Sequence, residues 1–127
     1  MDCTVQRLVY QVSCTNCSEG DTPTESLYVG TSGYSLHRRQ LQHIEEIRRQ
    51  QQSNAMAKHQ RHMHPNQQPK FRSRPIRGGI QFNLDRYILE AHLIQENSQK
   101  TDVVLINQRS EFGNRGIPRI ETRTNIL

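Results

Sequence analysis

Leu27-Tyr28-Val29-Gly30-Thr31-Ser32-Gly33-Tyr34-Ser35-Leu36 is the stretch whose reading decides the fold. Leu27–Gly30 is a short run of strand formers, Gly33 reads as a turn glycine, and Ser35 is a good helix N-cap. The chain therefore passes from strand to helix within a few residues. Upstream, Thr4–Ser13 alternates well enough for a first strand, with Val5, Leu8, Tyr10 and Val12 as its apolar or β-favouring members. The two strands are expected to pair antiparallel, which sets Tyr10 and Tyr28 near each other on a small sheet. Between them, Cys14–Cys17 forms a tight turn, and Ser18–Ser26, rich in Ser, Thr, Gly, Asp and Pro, reads as a loop.

Downstream of Ser35 the pattern predicts a helix to about Gln52, with Leu36, Leu41, Ile44 and Ile47 as its apolar stripe. Asn54 caps a shorter helix running through Met56 to about His62. Pro65, Pro69, Pro75, Gly78 and Gly79 follow, so a strand over Lys70–Ile76 belongs at a sheet edge. Asn83 is expected to cap the next helix, to about Glu96, with Phe82 stapled onto Tyr87 and Leu84, Ile88, Ala91 and Ile94 turned inward. Val103–Ile106 reads as the central strand of the second half, and the polar tail from about residue 108 as irregular. The order β-β-α-α-β-α-β describes one α/β domain over residues 1–127: a small sandwich whose short central mixed or antiparallel sheet is flanked by helices.

Composition narrows the class. Of 127 residues, 32% are hydrophobic and none is Trp, and so lean a core stabilises a fold weakly unless a metal or a disulfide assists. Three cysteines, Cys3, Cys14 and Cys17, are an odd number for a disulfide framework. No apolar run approaches the ~20 residues of a membrane span, and no signal-peptide pattern opens the chain. The expectation is an intracellular, reducing compartment, without membrane partners, where cysteine pairs more often hold metal. The net charge is +5, and all but three of the 17 basic side chains (Lys58, Lys70, Lys100) are arginine. Arginine's planar fork suits phosphate oxygens, which points to nucleic acid.

Two constellations carry chemistry. Cys14-x2-Cys17 lets two thiolates reach one ion at ~2.3 Å, and paired histidines complete a tetrahedron. His59 with His64 would supply them, with His62 a competitor for the fourth position and Cys3 a further candidate. Separately, Arg39 and His43 are four apart and share one helix face. Glu90 lies mid-helix, and Asn107 follows the last strand. Phosphodiester hydrolysis needs a metal ligand, a group that activates water, and a cation for the developing charge. Glu90, a tyrosine and Arg39 would fill these roles if the fold brings them together.

In order along the chain, Leu8-Val9-Tyr10, Tyr28-Val29-Gly30, Arg39, His43, Glu90 and Asn107 resemble the motifs of the GIY-YIG nucleases, and the resemblance spans most of the sequence. Leu8 replaces the first-motif glycine, and the interval from Tyr10 to Tyr28 is longer than the family's usual one. Cysteines in that interval, with Asn54-Ala55-Met56-Ala57-Lys58-His59 and His64 downstream, resemble the zinc-binding GIY-YIG domain of Penelope-like retroelements. The resemblance implies a DNA endonuclease that makes single-strand breaks. Tyr10, with Tyr28 beside it, would orient or deprotonate water, Arg39 would hold the scissile phosphate, and His43 would support both. Glu90 would bind a catalytic Mg²⁺ (or Mn²⁺), Asn107 would brace the site, and Cys14, Cys17, His59 and His64 would hold a structural Zn²⁺. It further implies DNA as partner, a reverse transcriptase in the same polypeptide, and a nuclear location for a eukaryotic element.

Overall fold

The computed structural model describes residues 5–20, 23–51 and 53–107; Cys3, Thr4, Gln52 and the tail from residue 108 lie outside them. The chain runs β1 (Leu8–Cys14), α1 (Thr15–Ser18), β2 (Glu25–Ser32), α2 (Leu36–Arg48), α3 (Ala55–Met63), β3 (Phe71–Arg77), α4 (Asn83–Ser98) and β4 (Val103–Leu105). It is an α/β fold with a four-stranded mixed sheet in the order β3-β1-β2-β4. β1 pairs antiparallel with β2, setting Tyr10 opposite Gly30 and Val12 opposite Tyr28. β3 pairs antiparallel with β1, and β4 runs parallel to β2.

Local chemistry sets several boundaries. The Ser35 hydroxyl accepts from the Arg38 amide at 3.2 Å, and the Asn54 side-chain oxygen accepts from the Ala57 amide at 2.9 Å. Both therefore satisfy amides that the first helical turn leaves without partners. Pro75 and a bulge between Val9 and Tyr10 keep β3 at the edge, as its sequence predicts.

Four expectations are corrected. On α2 the inward stripe is Leu36, His43 and Ile47, while Leu41 and Ile44 are more than half exposed. At ~100° per residue those three share one line, and Leu41 and Ile44 fall roughly 140° and 80° away from it. On α4 the buried residues are Arg86, Glu90, Ala91, Ile94 and Asn97; Leu84 and Ile88 face outward. Phe82, not Asn83, occupies the cap position, where it is 68% exposed. Finally, β4 is an edge strand and not a central one, because β1 already fills the other side of β2.

Strand alternation divides the interior into two cores. Leu8, Tyr10, Val12, Cys14 and Tyr28 face α2 and α3, packing with Leu36, Ile47 and Met56. Val9 and Val29 face the opposite way, onto Ile94, Leu89 and Leu93 of α4.

Candidate active site and metal centre

On the α2 side of the sheet, the Tyr10 hydroxyl lies 2.6 Å from His43 Nε2 and accepts from Arg39 Nε at 3.2 Å. The Tyr28 ring completes the group, with its centroid 6.4 Å from that of Tyr10 and 5.7 Å from that of His43. β1 and β2 deliver the tyrosines, and consecutive turns of α2 deliver Arg39 and His43, so four of the residues expected from the sequence meet in one place. Tyr10 is wholly buried, Tyr28 and His43 nearly so, while the Arg39 side chain is 26% exposed.

The protonation pattern follows from a helix cap. Because the Asn54 side-chain oxygen is engaged at the start of α3, its Nδ2 must donate. It does so to the Glu46 carboxylate and, at 3.4 Å, to His43 Nδ1. Burial, assisted by the Arg39 charge, depresses the His43 pKa from 6.5 to about 3, so the ring is neutral. With Nδ1 accepting, the single ring proton sits on Nε2 and is donated to the Tyr10 oxygen. That oxygen thus receives two N–H donors, one of them cationic, an arrangement that stabilises negative charge on it. Burial opposes the charge on Arg39, but Tyr10, Tyr28 and Glu46 outweigh this and hold its pKa above the usual value. Arg39 also donates to Gln42 at 3.0 Å and lies 3.8 Å from Glu46.

Gly30, part of the second motif in the sequence but without a role there, receives one from the geometry. A Cβ there would stand 2.5 Å from the Tyr10 oxygen and 2.9 Å from the Tyr28 ring. The phenol lies directly on the glycine backbone. Asn54 and Glu46 were missed as neighbours of His43, and no local signal marks them, since their meeting depends on how α2 packs against α3.

Glu90 and Asn107 arrive from elsewhere. Glu90 is buried on α4, one turn from Ile94, which packs against Val9 and Val29 on the sheet face opposite Tyr10 and His43. The Asn107 amide mimics a strand residue, accepting from Val29 N and donating to Val29 O, each at 2.8 Å. It fixes the backbone immediately beside Tyr28.

The second constellation is compact. One donor atom from each of Cys14, Cys17, His59 and His64 lies within 4.8 Å of the others, a Cys2His2 cluster able to hold a metal ion. Cys17 Sγ is 3.3 Å from His59 Nε2 and 3.1 Å from His64 Nε2. Those separations approximate the edges of a tetrahedron with ~2.0–2.3 Å metal–ligand bonds. His64 Nδ1 donates to Gln67 Oε1 at 2.9 Å, which leaves Nε2 as the free donor. Gln60 anchors the loop behind it through the carbonyls of His64 and Gln67. His62 is exposed and outside the cluster, so His64 takes the position the two contested. Burial pushes the Cys14 thiol up to about 11, against the backbone N–H of Cys17, and burial with nearby His64 lowers the pKa of His59.

Compared with models of protein families, with curated proteins and with solved structures, the chain finds no match. Among the described residues, no helix is long and apolar enough to cross a membrane.

Two outcomes follow from this geometry. Gly30→Ala should drive the phenol off the backbone, lowering stability by roughly 1–3 kcal/mol and shifting the Tyr10 ring resonances; an unshifted spectrum and melting curve would contradict the close approach. His43 has its folded pKa depressed below the unfolded value, so stability is full above pH 6.5 and falls as the pH drops toward 3. His43→Gln should flatten that decline by a few kcal/mol, read from urea melts of both proteins at neutral and acid pH. Parallel wild-type and variant curves would refute the buried neutral ring.

Proposed function

We propose that this chain is a divalent-metal-dependent DNA endonuclease of the GIY-YIG type, nicking one strand, and stabilised by a structural zinc centre. The observation that carries the reading is the Tyr10 oxygen, which accepts from both Arg39 and His43. In this reading that oxygen, its charge offset by two N–H donors, acts as the phenolate base that takes a proton from water. In the reaction, a new bond from the water oxygen to phosphorus forms as the bridging P–O bond breaks. The water's proton passes to the Tyr10 phenolate, the leaving oxygen takes a proton from bulk water to end as an alcohol, and Tyr10 returns its proton to solvent. Arg39, the most exposed of the four, meets the phosphate first and offsets its growing negative charge. His43 is a positioning residue: its proton is already on Nε2, so it orients and polarises the phenol and does not receive its proton. The resemblance, and not the geometry, assigns the carboxylate for Mg²⁺ or Mn²⁺ to Glu90, which α4 carries on the side of Val9 and Val29; a cation held there would supply neutralisation of charge on the leaving oxygen. Asn107 holds β2 in register beside Tyr28. The retroelement setting, with DNA as substrate and a reverse transcriptase in the same polypeptide, follows the resemblance.

Zinc is the ion that two thiolates and two imidazoles in a closed set suit best, and with no position left for substrate its role is structural. Such a site contributes folding free energy, on the order of 10 kcal/mol, where the apolar core is small.

One observation favours a second reading, a non-catalytic zinc-stabilised nucleic-acid-binding module. Tyr10 is wholly buried, as a purely structural tyrosine would be. A plasmid-nicking assay with and without Mg²⁺ separates the two. The nuclease reading expects nicking that Tyr10→Phe slows ~10²-fold or more and that Glu90→Ala abolishes, with folding and DNA binding retained. Nicking at the wild-type rate by Glu90→Ala would remove Glu90 from the site. Binding without nicking by the wild type would establish the second reading. For the metal, elemental analysis should find stoichiometric zinc, and a strong chelator or Cys17→Ser should cause a large fall in melting temperature. A zinc-free protein with unchanged melting would overturn the assignment.

A further inference from the structure

The reverse face of the sheet carries an arrangement that the nuclease reading does not use. β3 pairs with β1 so that Arg72 stands opposite Ser13, Arg74 opposite Gln11 and Arg77 opposite Val9. Paired residues share a sheet face, so all three arginines lie on the side of Val9 and α4, away from Tyr10. An unbroken strand would send Arg77 to the other face, since it is an odd number of residues from Arg74. The bulge that inserts Ile76 between Pro75 and Arg77 returns it. All three side chains are exposed, and among the described residues none forms an ion pair.

Among the described residues, α4 packs on β2, β4 and the Val9 end of β1, and no helix covers β3 and the rest of β1 on this face. The β1 residues record the boundary, with Val9 buried under the helix and Gln11 and Ser13 half-exposed beyond it. Charge on an edge strand also guards against edge-to-edge pairing. That purpose is served by charge on either face, however, and does not account for a bulge that gathers the arginines on one.

We propose that Arg72, Arg74 and Arg77 form a second nucleic-acid contact that follows one phosphodiester strand across the reverse face of the sheet. Alternate strand positions are ~6.6–7 Å apart, comparable to the separation of successive phosphates along a nucleic-acid strand. Guanidinium forks meet phosphate oxygens bidentately. These contacts read backbone and not sequence, so their effect on binding is uniform across sequences and strongly salt-dependent.

The test is equilibrium binding of a labelled single-stranded DNA oligonucleotide over a salt series, without divalent metal, so no cleavage is required. The R72Q/R74Q/R77Q variant should bind about tenfold or more weakly at low salt, and its log K against log salt slope should shrink by about 2, three contacts at ~0.7 each. R72K/R74K/R77K should keep most of the slope. R48Q/R49Q, which removes arginines paired with Glu45, should leave it unchanged. Should the triple variant melt early, R72Q and R74Q singly are each expected to lower the slope by about 0.7. A duplex probe run alongside distinguishes a single strand from a groove-spanning duplex as the preferred ligand. Wild-type affinity and slope in the glutamine variant, or a salt-insensitive loss, would overturn the proposal. Because Tyr10→Phe should not alter this slope, failure of the β3 contact and failure of the catalytic reading are separable.

Discussion

The Tyr10 phenol occupies the volume in which any residue but glycine at position 30 would carry its Cβ, and the site depends on that approach. With the ring pressed onto the β2 backbone, its oxygen points at α2, within reach of His43 and Arg39. The Asn107 amide then locks the backbone at Val29, one residue from both Tyr28 and Gly30. A strand that slipped or swelled at this point would move the oxygen away from its donors. Register and close packing, more than any single hydrogen bond, make the cluster.

One short helix links the two constellations. α3 begins at Asn54, whose amide orients His43, and ends at His64, a member of the Cys2His2 cluster, with His59 between. The cluster also joins the end of β1 through Cys14 and the single turn of α1 through Cys17. A metal ion held by these four side chains would fix α3 against the sheet, and thereby the amide that decides which nitrogen of His43 carries the proton. In a chain with so little apolar material, that would be a physical route from a metal centre to the electrostatics of a neighbouring site.

Positive charge is distributed over both faces of the sheet. Arg39 stands at the rim of the tyrosine cluster on one side, and the β3 arginines stand on the other. Arg39 faces Glu46, and Arg48 and Arg49 pair with Glu45, whereas among the described residues the β3 arginines form no ion pair. The net charge of +5 therefore does not record where the unpaired cations stand.

Some of this was legible in the sequence because its causes are local. Ser35 and Asn54 cap helices through hydrogen bonds spanning three residues, Pro75 bars β3 from the sheet interior, and the Cys14–Cys17 spacing suits one ion whatever surrounds it. The alternation of β1 also paired Tyr10 with the Tyr28 strand correctly. Other features were decided only by tertiary packing. The apolar Leu41, Ile44, Leu84 and Ile88 face solvent, while His43, Arg86 and Glu90 are buried, because two sheet faces choose which helical stripe each helix turns inward. The choice of His64 over His62, the protonation of His43, the need for glycine at position 30 and the single-faced row of β3 arginines all arise from contacts between residues distant in the chain. Local pattern fixes where an element begins and what it is made of; only the packed fold determines which of its side chains meet.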